Sequence, residues 1–330
     1  MNQALQIAIY KIIFHIGYLW FQLAKTTPKY SYIAMRKLYY LTGGTFNAKQ
    51  SECIANSSNS KINFNDSLFT KVFDIEENEI NTALSEIKEN GFYIFKNLLS
   101  NDVIKKLKDF ALETPARLMP FEKEQFEKYN YQNPLAIKYQ FSEKDLISNE
   151  TIQQITLDKN LLKIAQDFLK TPPIIDLTTM WWSTSINKEA NSKIAQMYHY
   201  DMDRLKFIKF FIYLTDVTPE TGPHCYVKSS NGHLPKEIKT DGRYSDELIE
   251  SIYGKENLLE LCGKQGTLMA VDTSGIHKGK VLEHSDRLIF QIEFTNSLFG
   301  HNNDSIKGIN YTPSFIEASK KHPSIYSRYI

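Results

Sequence analysis

The sequence predicts an α+β chain in which a helical N-terminal half packs around a C-terminal β-barrel or sandwich. Three observations carry this expectation. Apolar residues recur at helical spacing through residues 5–24, 75–90, 100–110 and 159–169. After Pro173 the chain becomes a series of short β-branched and aromatic runs separated by turn residues. Composition is that of an ordinary globular protein, with 42% hydrophobic, 13% aromatic and 23% charged residues. It excludes a disordered, collagen-like or disulfide-framework protein. A length of 330 residues implies about two domains, although a β-barrel can fill roughly 200–250 residues as one unit.

The first element runs from Leu5 to Ala24 and is almost wholly apolar, with Lys11, His15, Tyr18 and Gln22 on one narrow polar seam. A secretory signal fits poorly, because no charged region precedes the run and no small-residue cleavage site follows it. A full membrane span is also costly. About ten strongly apolar residues contribute about −5 kcal/mol, of which Lys11 alone returns about 3. Three readings stay open: packing on the catalytic body or a second subunit, lying in a membrane interface through residues 5–37, and, least favoured, a true span. The predicted organisation is an apolar, basic helical segment over 1–50, a polar Asn/Ser-rich linker over 51–66, and a catalytic domain over 67–330 with its barrel core at about 174–300.

Within that domain Ile75, Ile80, Leu84 and Ile87 mark a helix that Gly91 ends. A strand follows at 92–98, then a helix capped by Ser100 that carries Val103, Ile104, Leu107 and Phe110. The helix at 159–169 stops before Pro172 and Pro173. Strands are expected at 174–185, 207–217, 224–229, 266–272 and 287–296. A partly helical insertion occupies 233–262. Such strands without intervening helices point to a sandwich or barrel.

The net charge of +1 conceals a split. Residues 1–50 hold six cations and no acid, while the remaining 33 basic residues face 38 acidic ones, a balance of −5. The mildly acidic body argues against a nucleic-acid-binding surface. Cys53, Cys225 and Cys262 are too few and too scattered for a disulfide framework or a zinc site, and read as thiols in a reducing, cytoplasmic compartment.

His199-Tyr200-Asp201 is an H-x-D. On a strand, residues two apart share a face, so an imidazole and a carboxylate can reach one metal ion. His277, just after GTLMAVD and a Thr-Ser-Gly turn, is the third candidate ligand. Two histidines and a carboxylate on one face of a metal suit non-haem Fe(II) oxygen activation. Arg287 lies ten residues on, at the head of RLIFQIEF, and a fixed guanidinium there can clamp the far carboxylate of 2-oxoglutarate.

From about Ile75 to Gly300 the sequence resembles the phytanoyl-CoA dioxygenase-like family of Fe(II)/2-oxoglutarate oxygenases. The resemblance covers KENGFYIFKNLLSNDVIKKL, the H-x-D, LTDVTPETGPHCYVKSSNGH, and G-T-L, Asp, His-Lys-Gly followed by Arg. It implies a double-stranded β-helix, a jelly-roll or cupin-like barrel with flanking helices. It also implies Fe(II) on His199, Asp201 and His277, 2-oxoglutarate held by Arg287, with O2 as second co-substrate, and a contact from Lys138 to the co-substrate. Thr221-Gly222, Lys228-Ser229-Ser230-Asn231 and Gly279 depart from the family pattern and alter the rim of the pocket. Asp201 is retained, which favours hydroxylation over halogenation.

The expected acceptor is a small molecule or a lipid, acyl or glycolipid intermediate; neither the acceptor nor the oligomeric state follows from the sequence. Two rivals are a catalytically silent adaptor and a cupin-like metalloenzyme that does not use 2-oxoglutarate. His224, His233, His284 and His301 have no partner spacing and read as surface or flanking residues. Lys206 and Lys209 read as solvated strand charges, with contact to an anionic substrate as the alternative. Trp181 and Trp182 must face opposite sides of a strand, and Gln291 shares the parity of Arg287.

Overall fold

The structure, a computed structural model, describes residues 2–58, 61–96, 99–232, 234–238 and 240–330. Helices α1 (Gln3–Ala24) and α2 (Lys29–Leu41) form an antiparallel hairpin, in which Gln3 Nε2 donates to Leu41 O over 3.2 Å. Asn2 caps α1 by accepting from the Ala4 N–H, and Lys25 closes it in the left-handed conformation. The two helices touch at Gly17, where a Cβ would lie 1.8 Å from Ser31 Oγ. Helix α3 (Thr45–Ser57) follows. The stretch 51–66, expected to be a linker, is therefore helical as far as Ser57. The reason is tertiary: Ser51 is buried and accepts from Asn296 Nδ2 at 2.9 Å, so packing overrides a loop-like composition. Asn59 and Ser60 of that stretch lie outside the described residues.

Helix α4 (Glu77–Asn90) ends at Gly91, whose φ of 91° favours glycine. Strand β1 (Phe92–Ile94) follows, shorter than the expected 92–98; Asn97 and Leu98 are outside the described residues. The Ser100 side chain accepts from the Val103 N–H and caps α5 (Asn101–Glu113). Next come β2 (Ala116–Met119), β3 (Phe126–Glu127) and β4 (Lys138–Gln140). Helices α6 (Glu143–Ile147), α7 (Glu150–Thr156) and α8 (Lys159–Leu169) complete this half. The half expected to be helical thus contributes strands to the main sheet.

The C-terminal half supplies β5 (Ile174–Ser183), β6 (Phe207–Tyr213), β7 (His224–Val227), α9 (Asp246–Tyr253), β8 (Leu258–Leu261), β9 (Leu268–Val271), β10 (His277–Gly279), β11 (Arg287–Thr295) and α10 (Pro313–Lys321). The large sheet has the order β1-β9-β6-β11-β5-β4-β2-β3, and the small one β10-β7-β8. All named pairs are antiparallel. This is the jelly-roll arrangement with flanking helices.

Alternation along the strands divides the large sheet into two faces. Met180, Trp182, Phe290, Ile292 and Phe210 enter one core with Ile80, Leu107 and Leu161 of the flanking helices. The opposite face lines a cavity. The two tryptophans divide as strand geometry requires: Trp182 is in the core, stacked on Tyr129 with centroids 4.1 Å apart, and Trp181 lines the cavity.

Candidate metal centre and co-substrate pocket

Three neighbouring strands set the first row of the site. Lys138 of β4 and Arg287 of β11 both pair with Ser183 of β5, so these side chains lie abreast on the cavity face. Two residues further along, Gln140 pairs with Trp181, and then Gln291 lies between Thr179 and Phe211. Glu293 pairs with Lys209 in the next row. The register thus carries the polar side chains of separate segments into one cavity of about 330 Å³.

The ligand candidates close it from the small-sheet side. His199 and His277 exchange both main-chain hydrogen bonds, at 2.9 and 2.8 Å, and the Asp201 N–H donates to Thr273 O at 2.8 Å. A regular strand is expected over His199-Tyr200-Asp201, but only His199 pairs there, in an isolated bridge to His277. Three residues beyond Asp201, buried Arg204 bridges to Gly300 and is held by both oxygens of Asp176, each at 2.6 Å. The shared face survives. His199 Nε2 is 3.7 Å from Asp201 Oδ1, and His277 Nε2 is 3.5 Å from Asp201 Oδ2. One ligand atom from each residue lies within 4.8 Å of the others. His199 Nδ1 sits 2.9 Å from Met197 O, and His277 Nδ1 2.9 Å from Gly275 O. Those contacts place the protons on Nδ1 and leave both Nε2 lone pairs directed at one point beside the carboxylate. The donor set and its orientation fit a divalent iron ion.

The phytanoyl-CoA dioxygenase (PhyH) family model matches residues 87–281. The chain belongs to that family. Among solved structures with this fold, the non-heme alpha ketoglutarate dependent epimerase SnoN from nogalamycin biosynthesis is 12% identical, with 67% of this chain and 84% of that one covered and a TM-score of 0.50. HygX from Streptomyces hygroscopicus, solved with nickel and 2-oxoglutarate, is 14% identical over 72% of this chain and 96% of that one, with a TM-score of 0.50. At these identities the likeness establishes the fold alone. No curated protein sequence matches the chain.

For a phytanoyl-CoA dioxygenase family member, iron and 2-oxoglutarate are the metal and co-substrate to be fitted, and the buried polar atoms answer to them. Arg287 donates from Nη1 to Gly222 O and from Nη2 to Ser183 Oγ at 3.3 Å, while its buried Nε has no partner among the described residues. The Thr221-Gly222 departure therefore keeps a main-chain carbonyl that orients the guanidinium. At Gly279 a Cβ would meet only Ala195 O at 3.8 Å and an Arg287 nitrogen at 4.0 Å, so the missing side chain leaves space beside the arginine. Lys138 Nζ lies 4.5 Å above the Trp181 ring. Desolvation, with the neighbouring Arg287 charge, lowers its pKa to about 8.

Two further residues of the cavity have no role assigned to them by the sequence. Lys209, expected to be solvated, is buried. Its ammonium donates to Asp201 Oδ2 at 2.7 Å and lies 3.3 Å from Glu293 Oε2. The strand run FIKFFIYL offered the signal, since a lysine amid apolar residues on both strand faces has no solvent to reach. Burial acts against the Asp201 charge, but Lys209, and after it His277, hold the carboxyl well below its ordinary value. Burial lifts the Glu293 carboxyl to about 8 despite Lys209, so at neutral pH the ammonium is balanced by Asp201.

His224, expected at the surface or flanking the site, is buried in the cavity wall, with its ring 5.3 Å from that of His277 and 4.9 Å from Phe211. Its Nε2 has no partner among the described residues, and burial, with His277 and Arg287 beside it, keeps the imidazole neutral. Burial, and next His277, likewise lower the His199 pKa to about 3, the state a metal ligand requires. Gln291 lines the cavity, Lys206 donates to Phe168 O at 2.7 Å, and His284 and His301 are exposed. His233 lies outside the described residues.

Proposed function

We propose that this oxygenase hydroxylates a C–H bond of an organic acceptor: acceptor, O2 and 2-oxoglutarate give hydroxylated acceptor, succinate and CO2. The observation that carries the reading is the complete His199–Asp201–His277 set on the wall of the cavity that also holds Arg287. Iron bound there supplies the redox chemistry, and the chain supplies geometry and charge. Asp201 occupies the position that a halide would need, and Lys209 holds it as a carboxylate. Arg287, Ser183 and Lys138 form a cationic, hydrogen-bonding row suited to the distal carboxylate of a dicarboxylic co-substrate. Trp181, Ile289 and Leu177 supply apolar wall, while Gln140, Thr179, Gln291 and His224 supply a few fixed polar contacts. That lining favours an acceptor with both an apolar part and hydrogen-bonding groups, in keeping with a lipid, acyl or glycolipid intermediate or a small metabolite.

The test is anaerobic loading with Fe(II), followed by succinate measurement in air across an acceptor panel, for wild type, His199→Ala and Arg287→Ala. Succinate formation that needs His199, with an acceptor product gaining one oxygen atom, is the expected result. A product of unchanged mass would mean epimerisation, and one short of two hydrogens would mean ring closure; either would replace hydroxylation. No succinate from loaded wild type would return the silent adaptor reading. Turnover independent of 2-oxoglutarate would return the cupin-like one.

A further inference from the structure

The helical hairpin turns one face of α1 onto the protein and the other outward. Phe14 and Gly17 are buried, and Phe14 meets Phe46 and Phe299 edge to face, each with centroids 5.0 Å apart. On the opposite face Leu5, Ile9, Ile12, Ile16, Leu19 and Leu23 follow one another in alternating steps of four and three, and all are exposed. Leu23 is 84% exposed and Ile16 65%. The stripe runs the length of a 22-residue helix, about 33 Å. Single exposed apolar residues are ordinary, but a continuous row of this length is not.

Charge identifies what covers it. Residues 1–50 hold six Lys and Arg and no acid, and Lys11, Lys25, Lys29 and Lys49 are exposed. Lys25 and Lys29 adjoin exposed Trp20 and Tyr30 at the end of the hairpin, the aromatic and basic pairing suited to a headgroup boundary. A second copy meeting it through the same segment would bring the same six cations and no acid to answer them. The helix also lies flat against α2 through Gly17 and Ser31, which suits an in-plane contact rather than a span.

We propose that the outer face of α1 is a docking surface for an anionic lipid bilayer, with the apolar stripe in the acyl boundary and the cations at the headgroups. The site is separate from the iron pocket and makes no use of its chemistry.

The test is flotation of the full chain with phosphatidylcholine vesicles and with vesicles carrying about one third phosphatidylserine. Size-exclusion chromatography with light scattering on the free protein accompanies it. The chain is expected to float with the anionic vesicles, less so at high salt, and to be monomeric in solution. Ile12→Glu/Ile16→Glu/Leu19→Glu, all at exposed positions, should lower partitioning at least about a hundredfold with an unchanged melting temperature. Lys25→Glu/Lys29→Glu should lower it at least about thirtyfold on anionic vesicles only. No flotation, equal binding to neutral vesicles, or a dimer that the triple substitution dissociates would each overturn the proposal.

Discussion

Lys209 gives the sharpest test of how the site is built. Replacement by Met preserves volume but removes the ammonium that donates to Asp201 at 2.7 Å. The two side chains are only 10% and 19% exposed, so the carboxylate left behind has little water to answer it. Removing one partner of a buried pair costs about 3–5 kcal/mol, because the other charge stays buried and uncompensated. For a chain of 330 residues that amounts to roughly 4–7 °C in Tm. Glu293 does not add to the loss, since burial keeps it largely protonated at neutral pH. A divalent cation replaces the missing charge at Asp201, so Mn(II) should recover a large part of the stability. The measurement is chemical denaturation of wild type, Lys209→Met, Asp201→Asn and the double variant, with chelator and with Mn(II). In the Asp201→Asn background the lysine substitution should cost under about 1 kcal/mol, because no anion is left behind. An equal cost in both backgrounds would falsify the charge account and make Lys209 a packing residue.

Arg287→Met should raise the apparent 2-oxoglutarate Kd by about 10- to 150-fold, the worth of about 1.5–3 kcal/mol for charge-assisted hydrogen bonds, measured by calorimetry on Mn(II)-loaded protein. Glu293 has its pKa raised from 4.5 to about 8, so its stabilising contribution is complete below 4.5 and is lost as pH rises through 8. Denaturation of metal-free protein at several pH values should therefore show Glu293→Gln flattening the decline over that window, whereas parallel curves would mean that Glu293 is ionised in the fold. Gly17→Ala drives a Cβ to within 1.8 Å of Ser31 Oγ, and about 1–3 kcal/mol of destabilisation is expected, seen as faster protease cleavage between α1 and α2.

How far the site was legible in the sequence follows from how local each signal is. H-x-D is a property of three adjacent residues, and the distal His and Arg sit at the ends of recognisable strands, so all four could be found without coordinates. Lys138 could be matched only by resemblance, because its place is decided by cross-strand pairing with Ser183, more than forty positions away. The solvated reading of Lys209 and the surface reading of His224 fail for the same reason, while the flanking reading of His224 holds: their significance depends on which strand face meets the small sheet. The strands β2, β3 and β4 were missed because they are too short to show alternation and are stabilised by the larger sheet beside them. The linker assigned to 51–66 failed where Ser51 meets Asn296, a contact across 245 positions.

The same long-range contacts join the N-terminal helices to the chemistry. Tyr32 OH donates to Asp203 Oδ1 at 2.7 Å, two residues after the Asp201 ligand, and Tyr39 OH donates to Ser274 O at 3.1 Å, three residues before His277. Arg36 binds Asp241 and reaches Asp203 at 3.4 Å. The acid-free segment is therefore seated on both loops that present the candidate metal ligands, and its cations divide by position. Arg36 is spent on body carboxylates, while Lys25 and Lys29 stay exposed. A truncation starting near Ile75 would then remove more than a surface helix. It should loosen the loop that carries Asp201 and weaken Mn(II) binding, whereas the exposed-face triple substitution should leave the metal affinity unchanged. Equal metal affinity in all three proteins, by calorimetry, would show that the hairpin does not brace the ligand loops.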